Sequence, residues 1–450
     1  MSKYDNFDDL LDYAENLLAA ARKAGADSAD ALAVRHRALS ASCRMGKCEE
    51  IERAEGDDVG LRVFVGRRQA IVSDNRGRRE AAGELAERAV AMARAAPEDP
   101  YCGLADPELL ARDWQVPDIL DGREGDADQL AAAALACEEA GLGVSGITNS
   151  GGASASWSVG GMALATSSGF RGAYAGSGFS ISCSLVAGEG TAMERDYDHE
   201  SRTHFADLPG PAAIGGKAGQ RTVRRLGARK LASCQMPVLF EPRVAASLVG
   251  HFLGAISGAA IARKTSFLRN DLGKQVLARG IDIFDDPARP RGLRSHPFDG
   301  EGVAARPLQL CRDGVVESWL LDSASARELG LASTGHARRG ISGPPSPGAS
   351  NVHLGAGKAS PAQLMRDAGR ALLVTDLIGQ GVNLVSGDYS RGAAGFLIEN
   401  GEIAHAVSEI TIAGHLRDMF AGLVAADDLE FNRAVNAPTL MVERMTIAGR

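Results

Sequence analysis

Leu248-Val-Gly-His-Phe-Leu-Gly-Ala-Ile-Ser-Gly258 has the make-up of a helix that lies close against its neighbours. Small residues stand at Gly250, Gly254, Ala255 and Gly258, and one histidine, His251, projects from it. The stretch has the shape of a metal-site helix without the metal chemistry. A zinc helix needs a second ligand about one turn away and a carboxylate to handle protons, but the neighbours of His251 are Phe252, Ala255 and Ile256.

Around that helix the chain reads as a soluble, two-domain protein. Its 450 residues exceed one ordinary core, and the phrase Cys234-Gln-Met-Pro-Val-Leu-Phe240 marks a domain entrance, so domains at 1–235 and 236–450 are expected. Hydrophobic content of 45% with 24% charged residues suits a globular fold, while 54 glycines and 5% aromatic residues predict tight turns and a small-residue core. A formal charge of −8 argues against a general nucleic-acid binder. The one basic run, Arg221 to Lys230, reads as the solvated end of a helix. No stretch approaches the roughly 20 apolar residues of a membrane span, and the acidic, amphipathic N-terminus is unlike a signal peptide, so a cytoplasmic location without membrane attachment is expected. Seven scattered cysteines read as reduced, mostly buried thiols.

Periodicity predicts an α/β (α+β) fold with mixed or antiparallel sheets flanked by helices. Helices are expected over 6–24, 79–95, 126–141 and 207–227, and strands at 31–36, 39–53 with a turn at Gly46, and 59–73. Residues 96–125 read as a long surface connection. Segments 145–158, 161–168 and 178–187 read as three successive antiparallel strands, with turns at Gly151-Gly152, Gly160-Gly161 and Ser168-Gly169. The C-terminal half reads as rich in antiparallel strands, with hairpins at Asp313-Gly314 and Asn400-Gly401. Gly387 to Gly395 reads as a loop where the backbone passes close to something.

His199-Glu-Ser-Arg-Thr-His204 spells a tempting His-Glu-x-x-x-His pattern. Positions i and i+5 lie about 140° apart on a helix, against about 40° for i and i+4, and the flanking Glu194-Arg-Asp-Tyr-Asp198 offers no apolar face, so an exposed loop is the expectation. His336 and His353 sit beside turn and strand signals, where a lone histidine is more often structural than a ligand. No Gly-x-Ser-x-Gly elbow is paired with a base, and the glycine-rich stretches lack the order of a phosphate loop.

Taken in order, Gly250 to Gly258, Arg263-Lys-Thr-Ser-Phe-Leu268, Ser295-His-Pro-Phe-Asp-Gly-Glu-Gly302, Ser333-Thr-Gly-His-Ala337 and Gly387-Asp-Tyr-Ser390 through Gly395 resemble the PmbA (TldE) branch of the TldD/PmbA family. The N-terminal elements and the Thr148 to Phe179 region are similar too, so the resemblance covers essentially the whole chain. It implies a two-domain fold and a place in a TldD–TldE zinc peptidase complex that proteolyses unfolded or peptide substrates, of the microcin-precursor or antitoxin type. Older family names refer to modulation of DNA gyrase. The catalytic branch carries His-Glu-x-x-x-His in the matching helix. Its two histidine positions fall on Gly250 and Ala255 and its glutamate on His251, and this chain has no cysteine after Cys311 to match the branch's C-terminal cysteine ligand.

The resemblance therefore implies a non-catalytic subunit with no cofactor of its own, zinc being expected in a TldD-like partner. A homodimer of the isolated chain is left open. His251, Lys264, Ser266, Asp388, Tyr389, Ser390 and Arg391 are the candidates for a substrate groove or interface, and no catalytic or metal residue is assigned. Two alternatives stand beside this reading. One is an independent hydrolase with a metal held by some of His251, His336, His353 and His405; the other is a regulatory binding protein acting on a gyrase or toxin system without proteolysis.

Overall fold

The computed structural model describes residues 8–75 and 81–449, so positions 6–7 and 79–80 of the first two expected helices lie outside the described residues. Helix α1 (Asp8–Lys23) buries Leu10, Leu11, Ala14, Leu17 and Ala21 at helical spacing. Strands β1 (Ser28–Arg44), β2 (Lys47–Val65) and β3 (Arg68–Asp74) follow, then helices α2 (Ala82–Ala95) and α3 (Ala127–Leu142), and strands β4 (Ile147–Thr166), β5 (Arg171–Ala187) and β6 (Glu194–Arg202). These strands form one antiparallel sheet in the order β3-β2-β1-β4-β5-β6.

The strands are far longer than the sequence pattern suggests. Met45 and Gly46, both with positive φ, make the two-residue turn between β1 and β2, and the breaks expected at 37–38 and 54–58 lie inside β1 and β2. Likewise β4 runs straight through both glycine pairs. Gly152 sits at a register shift with φ of +106°, a bulge rather than a turn, and Gly160 and Gly161 stay paired with His36 and Arg35. Only the turn after Thr166 reverses the chain, where Gly169 donates to the Thr166 carbonyl.

Both helix pairs lie on one face of this sheet. Helices α1 and α2 cover Ala29, Ala31, Ala33, Leu61, Val63 and Ala163. At the opposite end of the strands, α3 and α4 (Pro211–Arg224) cover Cys43, Ala153, Ala155, Ile181, Cys183 and Leu185. The two helices approach so closely that a Cβ on Gly215 would meet the Cys137 carbonyl oxygen at 1.8 Å.

The second half of the chain opens with β7 (Cys234–Phe240), α5 (Pro242–Ala255) and α6 (Gly258–Ala262). It continues with β8 (Ile283–Asp285), β9 (Leu308–Arg312), β10 (Val315–Val316), α7 (Ser323–Leu329), β11 (Ala337–Arg338), β12 (Ser346–Pro347), β13 (Val352–Leu354) and α8 (Pro361–Ala368). Last come β14 (Ala371–Ile378), β15 (Asp388–Glu399), β16 (Glu402–His415), α9 (Leu416–Ala421), β17 (Leu423–Ala425), β18 (Val435–Asn436) and β19 (Leu440–Ala448). A mixed sheet runs β16-β15-β14-β7-β19-β17, with β14 parallel to β7, and a pairing of Thr411–Ala413 with Thr446–Ala448 closes five of its strands into a ring. A second sheet runs β10-β9-β8-β13-β18. Asp313-Gly314 and Asn400-Gly401 both take positive φ at the two turn positions, as their sequences predict. The segment expected as a loop, Gly387 to Gly395, is instead mostly strand β15. Its glycines serve close backbone approach, since a Cβ on Gly395 would meet the Leu373 carbonyl oxygen at 1.9 Å.

The two halves meet over the other face of the N-terminal sheet. Phe298 packs edge-on against Phe170, Tyr174 and Trp114, with centroids 4.9–5.3 Å apart. Beside it Arg62 donates to Asp30 at 2.8 Å through Nε, and Arg339 pairs with the same carboxylate, all three side chains being buried.

Candidate functional site

Helix α5 starts with Pro242 at its first turn and buries Val244, Ala245, Leu248, Val249, Phe252 and Ala255 in the largest core of the molecule. Gly250 is exposed and a Cβ there would meet nothing within 4 Å, whereas one on Gly254 would meet Leu384 at 2.8 Å. His251 sits on the helix flank, half-buried, with its ring edge-on to Tyr389 at 5.9 Å. Burial, assisted by Arg391, pushes the imidazole down to about 4, so it is neutral at physiological pH. Tyr389 is fully buried and its phenol is pushed up by burial against the opposing pull of Arg391.

Strand alternation divides the candidates drawn from the sequence. Tyr389 and Arg391, two apart on β15, lie on the side of His251, and the three come together. His251 Nε2, Tyr389 Oη and Arg391 Nε are all covered without a hydrogen-bond partner. Asp388 and Ser390 are exposed on the other side, where Asp388 accepts from Ser386 Oγ at 2.6 Å. Ser266 is buried. Its hydroxyl donates to the Ala255 carbonyl at 2.6 Å and accepts from Leu268 N at 3.0 Å, tying the chain after α6 to the end of α5. Lys264 takes φ of +60° just past the end of α6.

The positions on α5 that the resemblance matches to the catalytic motif hold a glycine, a histidine and an alanine, with one nitrogen donor among them. Elsewhere the histidines lie apart. His336 is buried 3.5 Å from Asp285 and 2.8 Å from the Thr334 carbonyl. His353 packs between Phe284 and Phe431, and His405 is half-buried on β16. Among the described residues no three His, Cys, Asp or Glu side chains converge where they could hold a metal. The residues present do not fit a zinc centre.

The decoy His199 to His204 is not an exposed loop. Residues 194–202 are edge strand β6, with His199 Nε2 3.0 Å from Ser201 Oγ, and His204 turns away to Asp118 at 3.1 Å. The same strand explains part of the basic run: Arg224, Arg229 and Lys230 are exposed at and beyond the end of α4, as expected, whereas Arg221 and Arg225 are drawn in against β6. Asp196 and Asp198 face the arginines: Arg243 grips Asp196 with two bonds of 2.8 and 2.9 Å, Arg225 reaches Glu194 at 3.2 Å and Asp376 at 3.1 Å, and Arg221 pairs with Asp198. These carboxylates neutralise the arginines and fasten β6 to the second half of the chain around a cleft of about 340 Å³.

The remaining surface with an evident design is the β4–β5 face opposite the helices. Ser40, Ser156, Ser180 and Ser201 form one cross-strand row, and Ser42, Ser154, Ser182 and His199 the next. Hydroxyls pair across strands, Ser154 with Ser182 at 2.9 Å and Ser156 with Ser180 at 2.7 Å. These side chains are half-exposed. The alternating Ser-x-Ser-x-Ser of 154–158 and 180–184 is the signal in the sequence that marks this face.

Comparison with known proteins adds the family. The PmbA/TldA metallopeptidase models match as domain 1 over residues 29–93, the central domain over 121–226 and the C-terminal domain over 233–449. Metalloprotease PmbA of Escherichia coli O157:H7 is 37% identical over 426 residues, 94% of this chain and 93% of that protein. A PmbA homologue of Haemophilus influenzae is 37% identical over 95% of this chain and 94% of its own length. Among solved structures, a Bacteroides thetaiotaomicron protein named as a modulator of DNA gyrase superposes with TM-score 0.90 at 27% identity, covering 98% of this chain and 99% of that one. TldE of Thermococcus kodakarensis shares the fold, with TM-score 0.87 at 22% identity over 97% and 100% of the two chains. The chain belongs to the PmbA/TldD family of metallopeptidases.

Proposed function

We propose that this chain is the non-catalytic, TldE-like subunit of a two-component metallopeptidase, which joins a TldD-like catalytic partner, walls off the site of proteolysis and holds extended or unfolded peptides. The observation that carries the reading is helix α5. Its Gly254 and Ala255 pack closely, Gly254 against Leu384 and Ala255 in the core, while Gly250, His251 and Ala255 leave the helix one nitrogen donor and no carboxylate at the positions that the resemblance matches to the catalytic motif.

Two features support the wall role. A face of short hydroxyls presents hydrogen-bonding groups without large apolar side chains, so an unfolded chain can slide along it without sticking. His251, Tyr389 and Arg391 cluster on the flank of α5, the helix that the resemblance matches to the ligand helix of the catalytic branch, an arrangement suited to closing that region rather than to chemistry. Zinc is assigned to the partner, and so are the substrates' bond-breaking steps. Cytoplasmic action fits seven unpaired cysteines; no helix among the described residues is long and apolar enough to cross a membrane.

The test mixes the two purified chains with an unfolded polypeptide. Cleavage should require both chains and should vanish when the partner's motif glutamate is replaced by glutamine. Cleavage by this chain alone, or a partner indifferent to its presence, would overturn the proposal.

A further inference from the structure

Among the described residues, the N-terminal sheet has one long open edge. Strand β2 is paired with β1 over its whole length, but β3 covers only Val59–Val65, and among the described residues no strand or bridge pairs with the outer side of residues 47–58. Along an antiparallel edge, alternate residues present both N–H and C=O outward, so twelve residues offer a ladder for one further strand. The opposite edge, β6, is occupied: Arg243 bonds Asp196 and the Tyr197 carbonyl, and Arg202 reaches the Asn432 carbonyl.

The edge is guarded by charge rather than by proline or a break in the strand. Residues 47–58 contain no proline, and the only irregularity in the pairing lies at Ser42/Cys43, near the turn. Instead the strand carries Glu49, Glu50, Glu52, Glu55, Asp57 and Asp58 against Lys47 and Arg53. Amid these charges Ile51 and the turn residue Met45 are 51% and 55% exposed. Arg35, His36 and Arg37 of β1 face Asp57, Asp58 and Glu55, so the acidic character of the edge centres on Glu49, Glu50 and Glu52 around Ile51. Exposed apolar side chains among mainly acidic ones are the make-up of a protein interface that selects its partner electrostatically. A second copy of this chain would bring two acidic strands together, which like charges oppose.

Resting on the two-subunit reading above, we infer that residues 47–58 are a docking strand for the catalytic subunit, which adds an antiparallel strand presenting lysine or arginine side chains. Backbone pairing supplies the register and the carboxylates supply the choice of partner.

The experiment uses the full chain and a purified TldD-like subunit from the same cell. Affinity is measured at two salt concentrations for the native chain and for E49K/E50K/E52K, and amide hydrogen exchange is followed in the complex. These three side chains are exposed, and a thermal melt checks that the variant is folded. The variant should bind at least about tenfold more weakly, with a shallower salt dependence, and alternate amides within 47–58 should become protected in the native complex. If the native chain binds its partner but these amides stay unprotected and the variant binds within twofold, the docking strand is wrong while the two-subunit reading survives. If the native chain does not bind the partner, both fall. Protection that rises with the concentration of this chain alone would assign the edge to self-association and overturn the inference.

Discussion

Replacing Asp196 by alanine should destabilise the protein by much more than loss of a surface ion pair. Asp196 is 5% exposed, both its oxygens bond Arg243, Arg225 lies at 3.6 Å, and the Arg243 side chain is 7% exposed. An exposed pair is worth ~0–1 kcal/mol, whereas removing one partner of a buried pair strands the other charge and costs ~3–5 kcal/mol. Arg243 keeps a bond to the Thr375 carbonyl and a contact with Glu241 at 3.6 Å, which places the expected loss near the lower bound, ~3 kcal/mol. The cost is one of stranded charge, so replacing both members, Asp196→Leu with Arg243→Met, should recover most of it. Urea unfolding followed by fluorescence and circular dichroism reads both variants, using the first transition because a chain of this size need not unfold in one step. A loss below ~1 kcal/mol for Asp196→Ala, or a double variant as unstable as the single one, would refute the reasoning.

The same clasp has a pH signature. Burial opposes ionisation of Asp196, but the bonds and charge of Arg243 outweigh it and hold the carboxyl below its ordinary value of 3.8. A depressed carboxyl contributes fully above that ordinary value and loses its contribution as pH falls through the folded one; the gap in urea midpoint between native and Asp196→Ala should be constant above about pH 5 and close below pH 4. Glycine packing gives a paired test: Gly215→Ala drives a methyl into the Cys137 carbonyl and should cost more than ~1 kcal/mol, while neighbouring Gly216, open within 4 Å, should gain ~0.5–1 kcal/mol as alanine in mid-helix, both read by thermal melts. Cys43 and Cys48 are register partners beside the β1–β2 turn, where burial and the neighbouring Cys48 push the Cys43 thiol up to about 11, and Cys48 is exposed. Paired Cα atoms lie within disulfide range, so oxidised glutathione should give an intramolecular Cys43–Cys48 bond detectable by peptide mass mapping, with release of two equivalents of reduced glutathione. A mixed disulfide left on Cys48 would show the pair to be too far apart.

Local chemistry was legible and long-range context was not. Asp313-Gly314 and Asn400-Gly401 were readable because their geometry is set by two residues alone. Gly151-Gly152 and Gly160-Gly161 misled because a glycine pair marks a turn only when the neighbouring strands end there; in β4 they accommodate a bulge and a bare stretch of a twenty-residue strand. Gly387 to Gly395 misled likewise, its glycines answering to Leu373 of a neighbouring strand. Arg221 and Arg225 of the basic run looked solvated because their partners, Glu194, Asp196 and Asp198, sit about thirty positions earlier, within the segment that looked like a loop. At the candidate site, the sequence named His251 of α5 with Tyr389 and Arg391, which the structure brings together, but alternation along β15 separates Asp388 and Ser390 from them, which required knowing that this segment is a strand. The serine rows and the open acidic edge carried visible patterns whose meaning depends on which strands lie alongside.

The central claim is that this chain belongs to a metallopeptidase without carrying its metal. Native mass spectrometry with metal analysis, on this chain alone, on the catalytic partner alone and on the purified complex, tests it most directly. The account predicts a one-to-one complex holding one zinc, which stays with the partner on separation and is absent from this chain at any stage. Stoichiometric, tightly held zinc in this chain purified without its partner would contradict it.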